Sequence, residues 1–175
     1  MLAAKSIQKD PDNMSDCCTP SGDIAKTYDL VVVGAGSAGF SAAITAAEQG
    51  ARVALVGDGT IGGTCVNVGC VPSKALIRAV EPLHQARAAC RFDGVRASAA
   101  IADWSAAVRQ KDRLVDDLRQ AKYEDVLQGY DAITYHEGPA RLVQGGVEVG
   151  GVRLIADKVI IATGSRPGVP AIPGI

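Results

Sequence analysis

Residues 28–39 read YDLVVVGAGSAG, a short β-branched apolar run that breaks into glycines at Gly34, Gly36 and Gly39. A continuously apolar run of that length marks a strand buried on both faces of a parallel sheet. The next segment, roughly Ser37 to Gln49, is alanine-rich and closes at Gly50, the pattern of a helix with a glycine stop. ARVALVG is a second strand of the same kind. Strand, helix and strand form a βαβ unit with an expected right-handed crossover, so the fold class is α/β. The spacing G-x-G-x-x-G, after a strand and at the head of a helix, predicts a dinucleotide-binding turn. The first glycine allows the tight turn, the second lets a pyrophosphate reach the backbone, and the third lets helix pack on strand. The helix N-terminus adds a favourable field for the anion.

One element is off pattern. An acidic residue is expected at the end of the second strand to hold a ribose. Gly57 stands there, with Asp58 one place later. Asp58 is the candidate contact, and a backbone group or water is the alternative.

The stretch GGTCVNVGCVPSK, residues 62–74, holds two cysteines five positions apart. On a regular helix Cys65 and Cys70 would point about 140° apart. Their Cα atoms would lie about 8–9 Å apart, beyond the roughly 7 Å limit for a disulfide. Gly69 lies inside the unit and Pro72 just after it, and the proline ring collides with the carbonyl four residues back, that of Val68. A helix distorted there lets the sulfurs approach. A helix start near Thr64 and Lys74 one turn beyond Cys70 are both expected to lower thiol pKa. The stretch therefore reads as a dithiol that cycles between reduced and oxidised forms. A structural zinc site would need four ligands, and no second CxxC or histidine pair is within reach.

Around these motifs, residues 1–26 are polar and punctuated by DPDN and TPSGD, and read as a flexible tail in which Met14 is an alternative start. Residues 27–175 form one domain. A helical region from Thr64 toward Cys90 carries Pro72 and Pro82. A further helix, Asp103 to Gln128, has an N-cap at Asp103 and a stop at Gly129, with Trp104, Val108, Val115 and Leu118 on its apolar face. DAITYHEG, ARLVQGG, VEVGG and VRLIAD suggest a small antiparallel meander, and KVIIATGSRP a last buried strand. No repeat is evident. The 18 basic and 19 acidic residues argue against a nucleic-acid surface. No apolar run approaches the roughly 18 residues of a membrane span, and the start lacks a secretory h-region. A cytoplasmic setting follows, where a close cysteine pair does redox or metal chemistry rather than structural work.

The glycine turn, GGTCVNVGCVPSK and the late ATG together resemble the flavin-dependent pyridine nucleotide–disulfide oxidoreductases, from about Thr27 to Ile175. ALIRAV, FDG, ITYHEGPARLV, RPGVPAIPGI and the helix beginning DWSAAV are most similar to the mercuric reductase branch. The resemblance implies a Rossmann-like FAD-binding domain, a parallel sheet flanked by helices with the small antiparallel meander. It implies Cys70 beside the flavin, Cys65 as the outer thiol that exchanges with substrate, and Lys74 near the reactive flavin nitrogen. Gly34, Gly36 and Gly39 would face the FAD pyrophosphate, with Gly59 and Thr64 along the cofactor. Ala140 would contact the adenine side, and Ala162, Thr163 and Gly164 would make a second flavin turn.

Electrons would pass from NADPH through FAD to the dithiol, which would hold Hg(II) as substrate, thiolates being soft ligands for a soft ion. A homodimer is also implied. The family's NADPH motif, interface domain and terminal cysteine pair do not occur in these 175 residues. The chain reads as the FAD and dithiol part of a longer reductase, expected alone to bind FAD weakly and to show no mercury-dependent NADPH oxidation. Dihydrolipoyl dehydrogenase, another disulfide reductase, and a non-catalytic nucleotide- or metal-binding remnant stay open. Cys17 and Cys18, in the tail, are either a mercury relay or an incidental pair. Cys90 reads as a buried helix residue, and His84 and His136 as surface or packing residues.

Overall fold

The computed structural model describes residues 25–174, so Cys17 and Cys18 lie outside the described residues. The apolar runs become the centre of a parallel sheet. Strands β2 (Leu30–Val33) and β3 (Val53–Gly57) pair in parallel, joined by helix α1 (Ser37–Glu48). Alternate residues of the two runs point to opposite faces. Leu30, Val32, Val53 and Leu55 pack with Phe40 and Ala43 of α1 on one face. Val31, Ala54 and Val56 meet Val147, Val149 and Leu154 on the other. Both faces are covered, which is why neither run alternates with polar residues.

The meander differs from expectation. Strand β4 (Ile133–Glu137) pairs in parallel with β3 and extends the first sheet to the order β4-β3-β2-β8, where β8 is Val159–Ile161. Only β5 (Ala140–Val143), β6 (Gly146–Val149) and β7 (Val152–Ile155) form the antiparallel meander. The meander covers the sheet face away from α1. Strand β8 is an edge strand, with Ile161 63% exposed, rather than a buried one. A short strand, β1 (Ala25–Thr27), adds in parallel to β7 and reaches two residues into the segment read as a tail.

Helix α4 (Trp104–Arg119) starts where the sequence indicates, with the Asp103 carboxylate accepting from the Ala106 N–H at 3.1 Å. A wide π turn, Gln120–Glu124, follows, and α5 (Asp125–Gln128) ends before Gly129. Val115 is buried and Trp104 is 46% exposed, so the helix's apolar stripe is covered at its middle and open at its start. No helix among the described residues is long and apolar enough to cross a membrane.

His136 of β4 is half-buried, edge-on to Tyr28, with Nε2 2.9 Å from the tyrosine hydroxyl. Burial, and then the charge of Lys26, lowers its pKa below the ordinary 6.5. A depressed folded value means that neutral His136 stabilises the fold above 6.5 and that this contribution is lost as pH falls through the folded value. Urea midpoints at pH about 7.5 and about 5 should therefore differ less in His136→Gln than in the wild type.

Candidate functional site

The head of α1 opens on a cleft of about 550 Å³. Its walls come from the glycine turn, the residues after β3, the start of α2 (Gly63–Asn67), the β4–β5 corner and the Ala162-Thr163-Gly164 turn. Two of the three glycines are dictated by the fold. A Cβ on Gly34 would lie 2.1 Å from the Ala162 carbonyl oxygen, and one on Gly39 1.7 Å from the Gly34 carbonyl oxygen. Gly39 is buried beneath the turn and does not line the cleft.

Gly36 is different. Its φ of −95° suits any residue, and an added Cβ would meet nothing closer than the Gly63 Cα at 3.5 Å. The fold does not require glycine there, whereas a pyrophosphate drawn up to the backbone does. The glycine-lined wall, the first N–H groups of a twelve-residue helix and the cleft's length fit FAD. Those N–H groups and Gly36 would hold its phosphates, and Ala140 and Asp58 line the same cleft.

The glycine at the ribose position also has a cause. A Cβ on Gly57 would lie 2.4 Å from the Tyr135 hydroxyl and 2.8 Å from the Ala35 methyl. Tyr135, arriving on β4, fills the space an acidic side chain would need. Burial raises its pKa, and the charges of Glu137 and Asp58 add to the rise. Sequence reading could not see this, because the two residues are far apart in the chain and meet only through β3–β4 pairing.

The cysteine pair sits at a break between two helices. Helix α2 closes with the Val68 N–H donating to the Thr64 carbonyl, and α3 (Cys70–Ala88) begins after Gly69. The break therefore comes from Gly69 rather than Pro72. A Cβ on Gly69 would lie 2.9 Å from the Thr64 carbonyl oxygen, so glycine lets the chain fold back on α2. Pro72 lies in the first turn of α3, where its missing N–H costs little, and α3 runs on through Pro82.

Cys65, Cys70 and Cys90 carry free thiols and are exposed. The neighbouring Cys70 thiol pushes the Cys65 pKa up and desolvation adds to the rise, against a smaller lowering by the Cys70 backbone. The direction is opposite to the depression expected from the helix start. Alkylation of Cys65 in the reduced chain should then begin at lower pH in Cys70→Ala than in the wild type, which mass mapping across a pH series measures.

Cys65, Thr64, Gly59 and the Ala162–Gly164 turn line the cleft, while Cys70 and Lys74, on the first turns of α3, do not. The wall nearest the pair is thus Cys65, whereas the resemblance puts Cys70 beside the cofactor. Cys90 is exposed on a short 3₁₀ turn, its thiol donating to the Arg87 carbonyl, rather than buried. Ser37 was not anticipated at the site; its hydroxyl is 2.9 Å from that of Tyr123, whose ring packs edge-on to Phe40. Among the described residues no three His, Cys, Asp or Glu side chains gather as a metal site.

The model of the family described as pyridine nucleotide-disulphide oxidoreductase matches residues 28–175. A mercuric reductase of Shigella flexneri is 47% identical over 90% of this chain and 32% of its own length. One of Lysinibacillus sphaericus is 45% identical over 85% of this chain and 27% of its own. The chain thus spans about a third or less of these relatives. Among solved structures, the HOCl-induced flavoprotein disulfide reductase RclA from Escherichia coli superposes with a TM-score of 0.64 at 32% identity, over 85% of this chain and 31% of that one. A glycine cleft that fits FAD, a dithiol at its edge and a family match over nearly all the described residues agree: the chain belongs to the pyridine nucleotide-disulphide oxidoreductases, flavoproteins whose cofactors are FAD and NADPH.

Proposed function

We propose that this chain is the FAD- and dithiol-bearing part of an NADPH-dependent reductase that converts Hg(II) to elemental mercury. The observation that carries the reading is the exposed Cys65–Cys70 pair on either side of the Gly69 break, with Cys65 on the wall of the FAD cleft. The identity to mercuric reductases directs it to mercury. Bound FAD supplies a two-electron carrier between NADPH and the sulfurs. The chain's own residues do the rest. Gly36 and the head of α1 hold the pyrophosphate, Asp58 faces the adenosine end, and the glycine break at residue 69 keeps the two sulfurs together. As thiolates they would ligate the soft ion, with exposure admitting it from solvent. Residues 27–175 would form the domain, and a homodimer in a reducing, cytoplasmic setting belongs to the same reading.

RclA, also solved as a Cu(II) complex, favours a second reading in which a disulfide or copper is the substrate. NADPH oxidation by the product of the open reading frame that encodes this chain separates the two. Hg(II) should support steady oxidation, while Cu(II) and a small disulfide should support much less. The reverse order would favour the second reading.

A further inference from the structure

We infer that the π turn after α4 is a clasp that sets the reduction potential of Cys65 and Cys70, with Arg119 and Asn67 as its positioning residues. The inference rests on the reading of the pair as redox-active.

Asn67 is the last residue of α2 and stands between the two cysteines. Its amide is fully used: Nδ2 donates to the Ile61 and Gly63 carbonyls, both at 2.9 Å, and Oδ1 accepts from Arg119 Nη1 at 3.0 Å. The short helix carrying Cys65 is thereby held at its far end as well as at Gly62. Only Val68 and Gly69 then remain to turn the chain and place Cys70. Arg119 is aimed by Asp116, which accepts from Nη2 at 2.7 Å, and by Glu124, 3.8 Å from Nε.

Residues five apart on an α-helix diverge by about 140°. In a π turn, closed by i→i+5 bonds, they share a face, so Gln120–Glu124 brings Glu124 under Arg119. The same turn lays Tyr123 on Phe40 and against Ser37 at the head of α1. The last residue of α4 and the irregular turn after it thus grip both the dithiol segment and the phosphate-binding helix. Neither Arg119 nor Asn67 lines the cleft.

Holding two thiols at fixed separation raises their effective concentration for one another, which favours the disulfide. Oxidation by glutathione disulfide joins the Sγ atoms of Cys65 and Cys70 and breaks the glutathione S–S bond. Two electrons and two protons pass from the pair to the glutathione sulfurs, and two glutathione thiols leave. Without the clasp the pair samples wider separations, so the disulfide is less stable and more easily reduced.

The test equilibrates the chain in glutathione buffers of graded ratio, quenches by alkylation and quantifies the 65–70 link by peptide mass mapping. Arg119→Met should lower the equilibrium constant about tenfold, making the potential about 30 mV less negative. Arg119→Lys should recover part of that, since its ammonium can still donate to Asn67. Asn67→Ala, which also loses the bonds to Ile61 and Gly63, should shift the constant at least as far, and the double variant no further than Asn67→Ala, because Arg119 acts on the pair through Asn67. Constants within about twofold of wild type, a lowered melting temperature with an unmoved constant, or additive shifts would each overturn the inference. A wild-type chain that forms no 65–70 link would instead overturn the dithiol reading on which it rests.

Discussion

Gly39→Ala should collapse the cofactor site and much of the fold with it. Its Cβ would enter 1.7 Å from the Gly34 carbonyl oxygen and 2.9 Å from that carbonyl carbon, both backbone atoms in a turn that cannot swing aside. Relief requires α1 to move away from β2, breaking the packing of Phe40 and Ala43 on Leu30 and Val32. Overpacking of this kind costs about 3 kcal/mol, a large share of a domain's roughly 5–15 kcal/mol.

The contrast is Gly36→Ala, whose added methyl meets only an ordinary contact at 3.5 Å. That variant should lose less than about 1 kcal/mol of stability, the scale of an altered N-cap. It should nonetheless bind FAD about tenfold to a hundredfold more weakly, because the methyl stands where the pyrophosphate approaches; that range corresponds to about 1.4–3 kcal/mol. Thermal melts and FAD titrations on the two variants read both effects. Equal losses of stability, or an unchanged affinity in Gly36→Ala, would remove the reason for glycine at the head of the helix.

Cys65→Ser and Cys70→Ser should each reduce turnover of the reductase by about a thousandfold or more, as removal of a group central to covalent exchange does. A hydroxyl neither forms a disulfide nor ligates a soft ion well. Both variants should keep FAD affinity within about threefold of wild type, since neither sulfur shapes the glycine turn and the substitutions are small. Steady-state NADPH oxidation gives the first quantity and flavin fluorescence titration the second. A serine variant retaining a tenth of the activity would show that another thiol or another chemistry carries the electrons.

Much of this site is readable from local sequence because local rules decide it. LVVV and VALVG are continuous apolar runs in a sheet covered on both faces, and Gly34 and Gly39 of the turn between them sit where a Cβ would strike backbone. Elements fixed by distant partners read less well. DAITYHEG looks like a meander strand because glycines separate it from the short segments that follow, but its parallel pairing with β3 depends on everything that precedes it. AKT has no apolar signal and is a strand only because β7 offers an edge. The cysteine break was attributable to proline by a general rule, yet the close approach to the Thr64 carbonyl at Gly69 decides it. Gly57 reads as a missing acid until Tyr135 is seen in its place.

The most direct measurement is an anaerobic reductive titration of the oxidised chain saturated with FAD, counting electron pairs taken up per bound flavin. The Cys65–Cys70 disulfide and the flavin should accept one pair each, so the wild type should take up two pairs and either serine variant one. A wild type that bleaches completely on a single pair, with the two thiols already free, would contradict a redox-active dithiol in this chain.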